Sequence, residues 1–134
     1  MKLIIKENSS EVYGEVAGKI ASLVVEKRDA VLGLATGKTQ FGVYEKLVEI
    51  KNRENIDFSS VKVFCLDEYL GVDGNNPGSF IFYIQKHVLR PLGIRNIYLL
   101  KGISSDHEKE AELYEEYIKK AGGIDIQILG IGIN

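Results

Sequence analysis

The period of the hydrophobic positions changes along this chain, and each change marks an element. Met1 to Lys6 is a short apolar run and predicts a strand. Val12, Val16, Ile20, Leu23 and Val24 then recur at helical spacing behind Ser9, Ser10 and Glu11, which offer an N-cap and an acidic first turn. Val31 to Leu34 lacks polar alternation, which suits a strand buried on both faces. A second helix is predicted from about Thr39 to Asn52 with Val43, Tyr44, Leu47 and Val48 inward, and a strand from Val61 to Leu66. After the turn-rich segment from Gly71 to Gly78, Ser79 can cap a helix reaching about Leu89. Asn96 to Leu100 predicts another strand. Ser105 to Glu108 fits a capping box, and Tyr114, Tyr117, Ile118 and Ala121 share one face of the helix that follows. Glu115–Lys119 and Glu116–Lys120 pair on its other face, Gly122-Gly123 stops it, and Ile124 to Leu129 predicts the last strand.

Strand and helix alternate throughout, the signature of an α/β fold with a mainly parallel sheet. The expectation is a Rossmann-like, doubly wound sheet with helices on both faces, residues 1–134 forming a single domain. Ligands in such sheets bind at the carboxyl ends of strands. Three segments fall there: Ala35 to Thr39, Asp67 to Gly71, and Gly130 to Asn134. A Gly-rich loop after a buried strand normally delivers the chain to a helix, yet this chain stops inside it. The expectation is that it is a piece of a longer protein.

Composition narrows the classes. A chain of 134 residues is long enough to bury a real core. A net charge of −2 argues against a general nucleic-acid binder, although a few local groups can still hold a small anion. The lone Cys65 permits no internal disulfide and no zinc-type spacing, which suits a reducing compartment, the cytoplasm. The first ten residues are too short in apolar content for a signal peptide, and no stretch approaches the roughly 18 apolar residues of a membrane span.

Val31 to Thr39 reads VLGLATGKT and ends like a nucleotide-binding P-loop. That motif needs a glycine where Leu32 stands, and Gly33 comes one place late. Val63 to Glu68 also resembles the apolar strand ending in two acids that ATPases use, so a P-loop nucleotide-binding module stays open. The alternative is a site for one phosphate. Thr36, Gly37, Lys38 and Thr39 open a helix, whose free N–H groups and positive dipole end attract an anion. Two threonine hydroxyls add donors and Lys38 adds charge. Gly37 and Thr39 could equally serve only as turn and cap. Asp67 and Glu68 end the next strand, where a carboxylate in a partly dry cleft can have its proton affinity raised enough to shuttle a proton.

ATGKT, LDEYLG, NNPGSF and IDIQILGIGIN, in this order and spacing, resemble the glucosamine-6-phosphate deaminase family over essentially the whole chain. That family's pattern is LxTGxTP, a strand ending DEYxG, a PxSY segment, and a strand ending GxGxNGHxxFNEP. The sister sugar-lactonase family usually has DER, so Tyr69 favours the deaminase branch. The resemblance implies that glucosamine 6-phosphate is isomerised and loses ammonia to give fructose 6-phosphate, with no metal or organic cofactor. It implies that Asp67 shuttles a proton between C2 and C1, that Asn134 serves ring opening, and that Thr36 to Thr39 contact the sugar phosphate. Glu68 and Tyr69 would shape the substrate site. The implied partner is a small-molecule sugar phosphate, with no nucleic acid and no membrane; association into a homo-oligomer is left open.

The chain departs from the family at three positions: Lys38 for the common Gly, Gln40 for Pro, and Phe80 for Tyr. The family continues past Asn134 with a His and a Glu that this chain lacks, so negligible deaminase activity is expected of the 134 residues alone. A galactosamine-6-phosphate deaminase and a non-catalytic sugar-phosphate sensor remain open. His87 reads as packed or half-exposed, His107 as solvated, and Cys65 as a small apolar residue in a strand.

Overall fold

Strands β1 (Val31–Leu34), β2 (Lys62–Cys65), β3 (Asn96–Tyr98) and β4 (Ile126–Gln127) form one parallel sheet in the order β3-β2-β1-β4 in the computed structural model, which describes residues 2–131. The chain steps outward from β1 to β2 to β3, then returns to pair β4 on the far side of β1. That reversal puts the topological switch point between β1 and β4, where open α/β sheets place their ligands. In the register, Leu32 lies beside Val63 and Ile126, and Gly33 beside Phe64 and Gln127.

Alternation along the strands loads both faces. Leu32, Leu34, Val63 and Cys65 join a core with α1 (Ser9–Glu26), α2 (Lys38–Glu54) and the helical run from Phe80 to Leu92. That run is α3 (Phe80–Ile84), a π-helical turn (Gln85–Leu89) and α4 (Arg90–Leu92). Pro91, which has no N–H to give, sits just past the π turn, and Gly93 ends the run in the left-handed region at φ 74°. Val31 and Phe64 point the other way and pack on Tyr114 of α5 (His107–Lys120). The Tyr114 hydroxyl donates to the Cys65 carbonyl at 2.6 Å, so α5 is pinned to the end of β2. Helices on both faces of a parallel sheet match the expected doubly wound architecture.

Local boundaries moved by a residue or more. Asn8, not Ser9 or Ser10, caps α1 by accepting from the Glu11 N–H at 3.0 Å. Asp106, not Ser105, caps α5, accepting from the Lys109 N–H at 2.9 Å. Glu116–Lys120 pairs at 3.5 Å.

The first predicted strand does not form. Leu3 and Ile5 are 76% and 82% exposed, and Lys6 reaches only Glu15 of α1, at 3.1 Å. Among the described residues the sheet holds β3, β2, β1 and β4, and this segment joins neither of its edges. Among the described residues no helix is long and apolar enough to cross a membrane.

Candidate functional site

Leu34 ends β1, and only Ala35, Thr36 and Gly37 separate it from α2. The connection is held at each step. The Tyr44 hydroxyl donates to the Ala35 carbonyl at 2.5 Å, the Tyr83 hydroxyl to the Gly37 carbonyl at 3.2 Å, and the Phe41 N–H to the same carbonyl at 3.0 Å. Gly37 sits at φ 133°, a conformation that only glycine adopts without strain. As N-cap it offers no side-chain acceptor, and the first turn of α2 carries no acid. The leading N–H groups of α2 are therefore not neutralised by a cap, which leaves a positive helix end beside Lys38.

Gln40 joins this loop to the one after β4. Gln40 is buried, with 7% of the residue exposed, and its side chain lies between two glycines. A Cβ on Gly37 would fall 2.6 Å from its Oε1, and one on Gly130 2.4 Å from its Nε2. The two loops flanking the switch point thus meet across one amide.

The end of β2 is tied to the end of β1 by the Leu66 N–H, which donates to the Leu34 carbonyl at 2.9 Å. The next two residues, both acids, diverge. Asp67 is exposed and accepts no hydrogen bond from the described residues; partial desolvation and the neighbouring Glu68 charge raise its proton affinity. Glu68 turns inward. Its Oε2 accepts from the Ser79 hydroxyl at 2.5 Å and the Ile81 N–H at 3.0 Å, and its Oε1 from the Phe80 N–H at 3.1 Å and the Tyr69 N–H at 2.9 Å. Desolvation pushes this carboxyl up, but the bonds from Ser79 and the three N–H groups outweigh it and hold it below the usual range. Tyr69 is 54% exposed, with its ring 4.4 Å from that of Phe80.

A cleft of about 440 Å³ opens between the β1–α2 connection and the start of α3, with Thr36, Gly37 and Lys38 on one wall and Ser79, Phe80 and Tyr83 on the other; Asp67 does not line it. Of the residues expected at the site, Thr36, Gly37 and Lys38 line this cleft. Thr39 is exposed on the side facing the β4 loop, within a groove shared with Gln40 and Ile128 to Ile131. Asp67 stands at the neighbouring strand end. Glu68, expected to shape the site, has both its oxygens engaged by the Tyr69 N–H and the start of α3. Asn134 lies outside the described residues. Burial pushes the Cys65 thiol up to about 12, so it is no nucleophile. Among the described residues no three His, Cys, Asp or Glu side chains gather as a metal cluster.

The sequence did not single out Gln40, Tyr44, Tyr83 or Ser79 as site-building residues. Gln40 carried a signal, as an amide where the family pattern has Pro. Tyr44 read as core, and only the partner of its hydroxyl reveals the second role; Tyr83 was not singled out at all. His87 is half-buried, its ring 5.1 Å from Phe41 and 4.8 Å from Tyr83.

The family model for glucosamine-6-phosphate isomerases/6-phosphogluconolactonase matches residues 6–134. A glucosamine-6-phosphate deaminase of Clostridium botulinum is 43% identical over the whole of this chain, which covers 56% of that protein. A solved monomeric glucosamine-6-phosphate deaminase superposes on 98% of this chain and 56% of its own, with a TM-score of 0.95 and 34% identity. A 6-phosphogluconolactonase from Thermotoga maritima superposes with a TM-score of 0.76 at 27% identity, over 98% of this chain and 59% of its own. The chain spans about half the length of the relatives it matches. With a three-residue connection after β1 and this match, the nucleotide-binding reading is set aside.

Proposed function

This chain belongs to the glucosamine-6-phosphate isomerase/6-phosphogluconolactonase family, and we propose that its cleft serves an amino-sugar-phosphate isomerase–deaminase that converts glucosamine 6-phosphate to fructose 6-phosphate and ammonia. In this reading the 134 residues contribute the N-terminal part of one α/β domain. The observation that carries it is the pairing, on adjacent strand ends, of an uncapped helix start with a carboxylate unpartnered among the described residues.

The phosphate sits at the first turn of α2, where N–H groups, the dipole, the Thr36 and Thr39 hydroxyls and the Lys38 ammonium all favour an anion. The opened sugar then extends toward Asp67. Asp67 takes the proton from C2 of the open-chain aldose and returns it at C1, so the aldehyde is reduced as C2 becomes an imine. Water adds to that imine and ammonia leaves, which gives the ketose. Asn134 serves ring opening, while Tyr69 and Phe80 form an aromatic rim. A proton shuttle of this kind needs a carboxylate and an acid, so the reading calls for no metal and no organic cofactor. Tyr69 following Asp67 and Glu68 supports a deaminase over a lactonase. A phosphorylated small substrate and one free cysteine suit a reducing cytoplasm.

The test is amide NMR of the chain titrated with glucosamine 6-phosphate, with ammonia release and deuterium exchange at C2 followed in the full product of the gene. Shifts confined to Thr36 to Gln40 and the Asp67 loop are expected, with none from Mg-ATP. A response to Mg-ATP and none to the sugar phosphate overturns the reading. Binding with neither exchange nor ammonia release would identify a sensor instead.

A further inference from the structure

We infer that Gln40 is a positioning residue: its buried amide couples the connection after β1 to the loop after β4, and through that loop it sets the ring-opening step without touching the ligand. The ring-opening half rests on the sugar-phosphate reading of the site; the coupling does not.

Gln40 and Ser79 are the buried polar residues among those described, and Ser79 is accounted for by its bond to Glu68. Gln40 is accounted for by packing. A Cβ on Gly37 would crowd its Oε1, and a Cβ on Gly130 would crowd its Nε2. Each glycine leaves the room of one side-chain carbon, and the amide fills both. The helix that carries Gln40 is fixed independently of either loop. Tyr44, one turn further on, is fully buried, and Gly42 lies so close to α1 that a Cβ there would run into the Tyr13 ring. A side chain wedged between two backbones on a fixed helix transmits a push on one to the other, because packed interiors have little void to absorb it. A proline at this position, as in the family pattern, ends its side chain on its own nitrogen and spans no such gap.

The two loops depend on Gln40 unequally. The connection after β1 has other anchors: the Tyr44 hydroxyl on Ala35, and the Tyr83 hydroxyl and Phe41 N–H on Gly37. The loop after β4 has fewer. The Ile128 N–H donates to the Gly33 carbonyl at 2.9 Å, and among the described residues this is the segment's last backbone hydrogen bond. Leu129, Gly130 and Ile131 are exposed, and the three atoms nearest a Cβ on Gly130 all belong to Gln40. That loop leads to Asn134, the residue assigned to ring opening. Loss of Gln40 therefore falls on the β4 loop, while the connection after β1 keeps its place.

The experiment starts from Gly130→Ala. Gly130 is not among the positive-φ glycines, so an alanine there meets Gln40 and no backbone strain. Amide NMR spectra of the chain are compared for the wild type, Gly130→Ala, Gln40→Ala and the double variant. Gly130→Ala should displace the Gln40 amide and shift the Gly37 and Lys38 signals. In the Gln40→Ala background the same substitution should leave those signals where they are. Shifts confined to the β4 loop, or shifts at Gly37 that persist without Gln40, overturn the coupling. Ammonia release from glucosamine 6-phosphate by the full gene product tests the second half. Gln40→Ala should lower kcat by about 10-fold or more, since slight misplacement of a reacting group can cost about 100-fold. KM should stay nearly unchanged, because no ligand contact is removed. A merely structural role would lower stability and leave kcat of the folded enzyme intact, and that result, or a change in KM alone, overturns the positioning role. A wild-type product that releases no ammonia removes the sugar-phosphate reading and the ring-opening role with it, while the amide spectra still decide the coupling.

Discussion

The Tyr83 hydroxyl donates to the Gly37 carbonyl at 3.2 Å, and this single bond ties the helix on one wall of the cleft to the loop on the other. Gly37 is also the uncapped start of α2, so the bond fixes the direction in which the leading N–H groups point. Tyr83→Phe keeps the ring packing and removes only that link. A stability loss of about 0.5–1.5 kcal/mol is expected by urea unfolding, as for one ordinary hydrogen bond. Phosphate affinity should fall several-fold. Unchanged affinity with the same stability loss would confine Tyr83 to packing.

Gly37→Ala meets two obstacles that can be separated. Its φ of 133° is strained for any residue with a Cβ, at a cost of order 1–3 kcal/mol. The new Cβ would also lie 2.6 Å from the Gln40 Oε1, and Gln40 is too buried to swing freely. Gly37→Ala should therefore destabilise the fold and abolish phosphate binding. In a Gln40→Ala background the same change should cost less, because only the backbone strain remains. A double-mutant cycle by urea unfolding measures the difference. Strict additivity would show that Gln40 does not crowd Gly37.

Acid should act through Glu68 and Asp125. Both carboxyls are held low in the folded state: Glu68 by Ser79 and three N–H groups against desolvation, and Asp125 by Lys27 at 2.8 Å and the Val31 N–H at 2.8 Å. The stabilisation from each is fully present above the unfolded carboxylate value, about 4, and is lost as pH falls through the depressed folded value. Asp67 has the opposite sign, since its raised folded value makes it mildly unfavourable once ionised. Urea midpoints should drop as pH falls below about 4, and Glu68→Gln should flatten that drop. A variant curve parallel to the wild type would remove Glu68 from the account.

The elements that periodicity located are those with a buried stripe. Val31 to Leu34 and the helix through Val43, Tyr44 and Leu47 formed where their apolar positions require. Met1 to Lys6 looked equally apolar, but strand formation needs a neighbour, and pairing is not written in a single segment. The site was legible in the same uneven way. Thr36 to Lys38 and Asp67 could be read because their chemistry is local: a helix start, and an acid at a strand end. Two adjacent acids look alike in sequence, and only the fold brings Ser79, Phe80 and Ile81 onto one of them. Gln40 and Gly130 are far apart in the chain, so nothing local could show that they touch.

Asp67→Asn separates binding from proton transfer. The residue is exposed, unpaired among the described residues and crowded by the Glu68 charge, so the amide should not disturb the fold. Stability at neutral pH should be equal or slightly higher, because an ionised group with a raised folded pKa is removed. Phosphate binding at Lys38 to Gln40 should persist or tighten as a nearby negative charge disappears. Deuterium exchange at C2 of glucosamine 6-phosphate, measured in the full gene product, should fall by about 100-fold or more, as expected when a positioned general base is removed. If exchange survives in Asp67→Asn while phosphate still binds at α2, another group moves the proton. Glu68, with every oxygen already engaged, could supply that base only by letting go of the start of α3, and the Phe80 and Ile81 amide signals would report it.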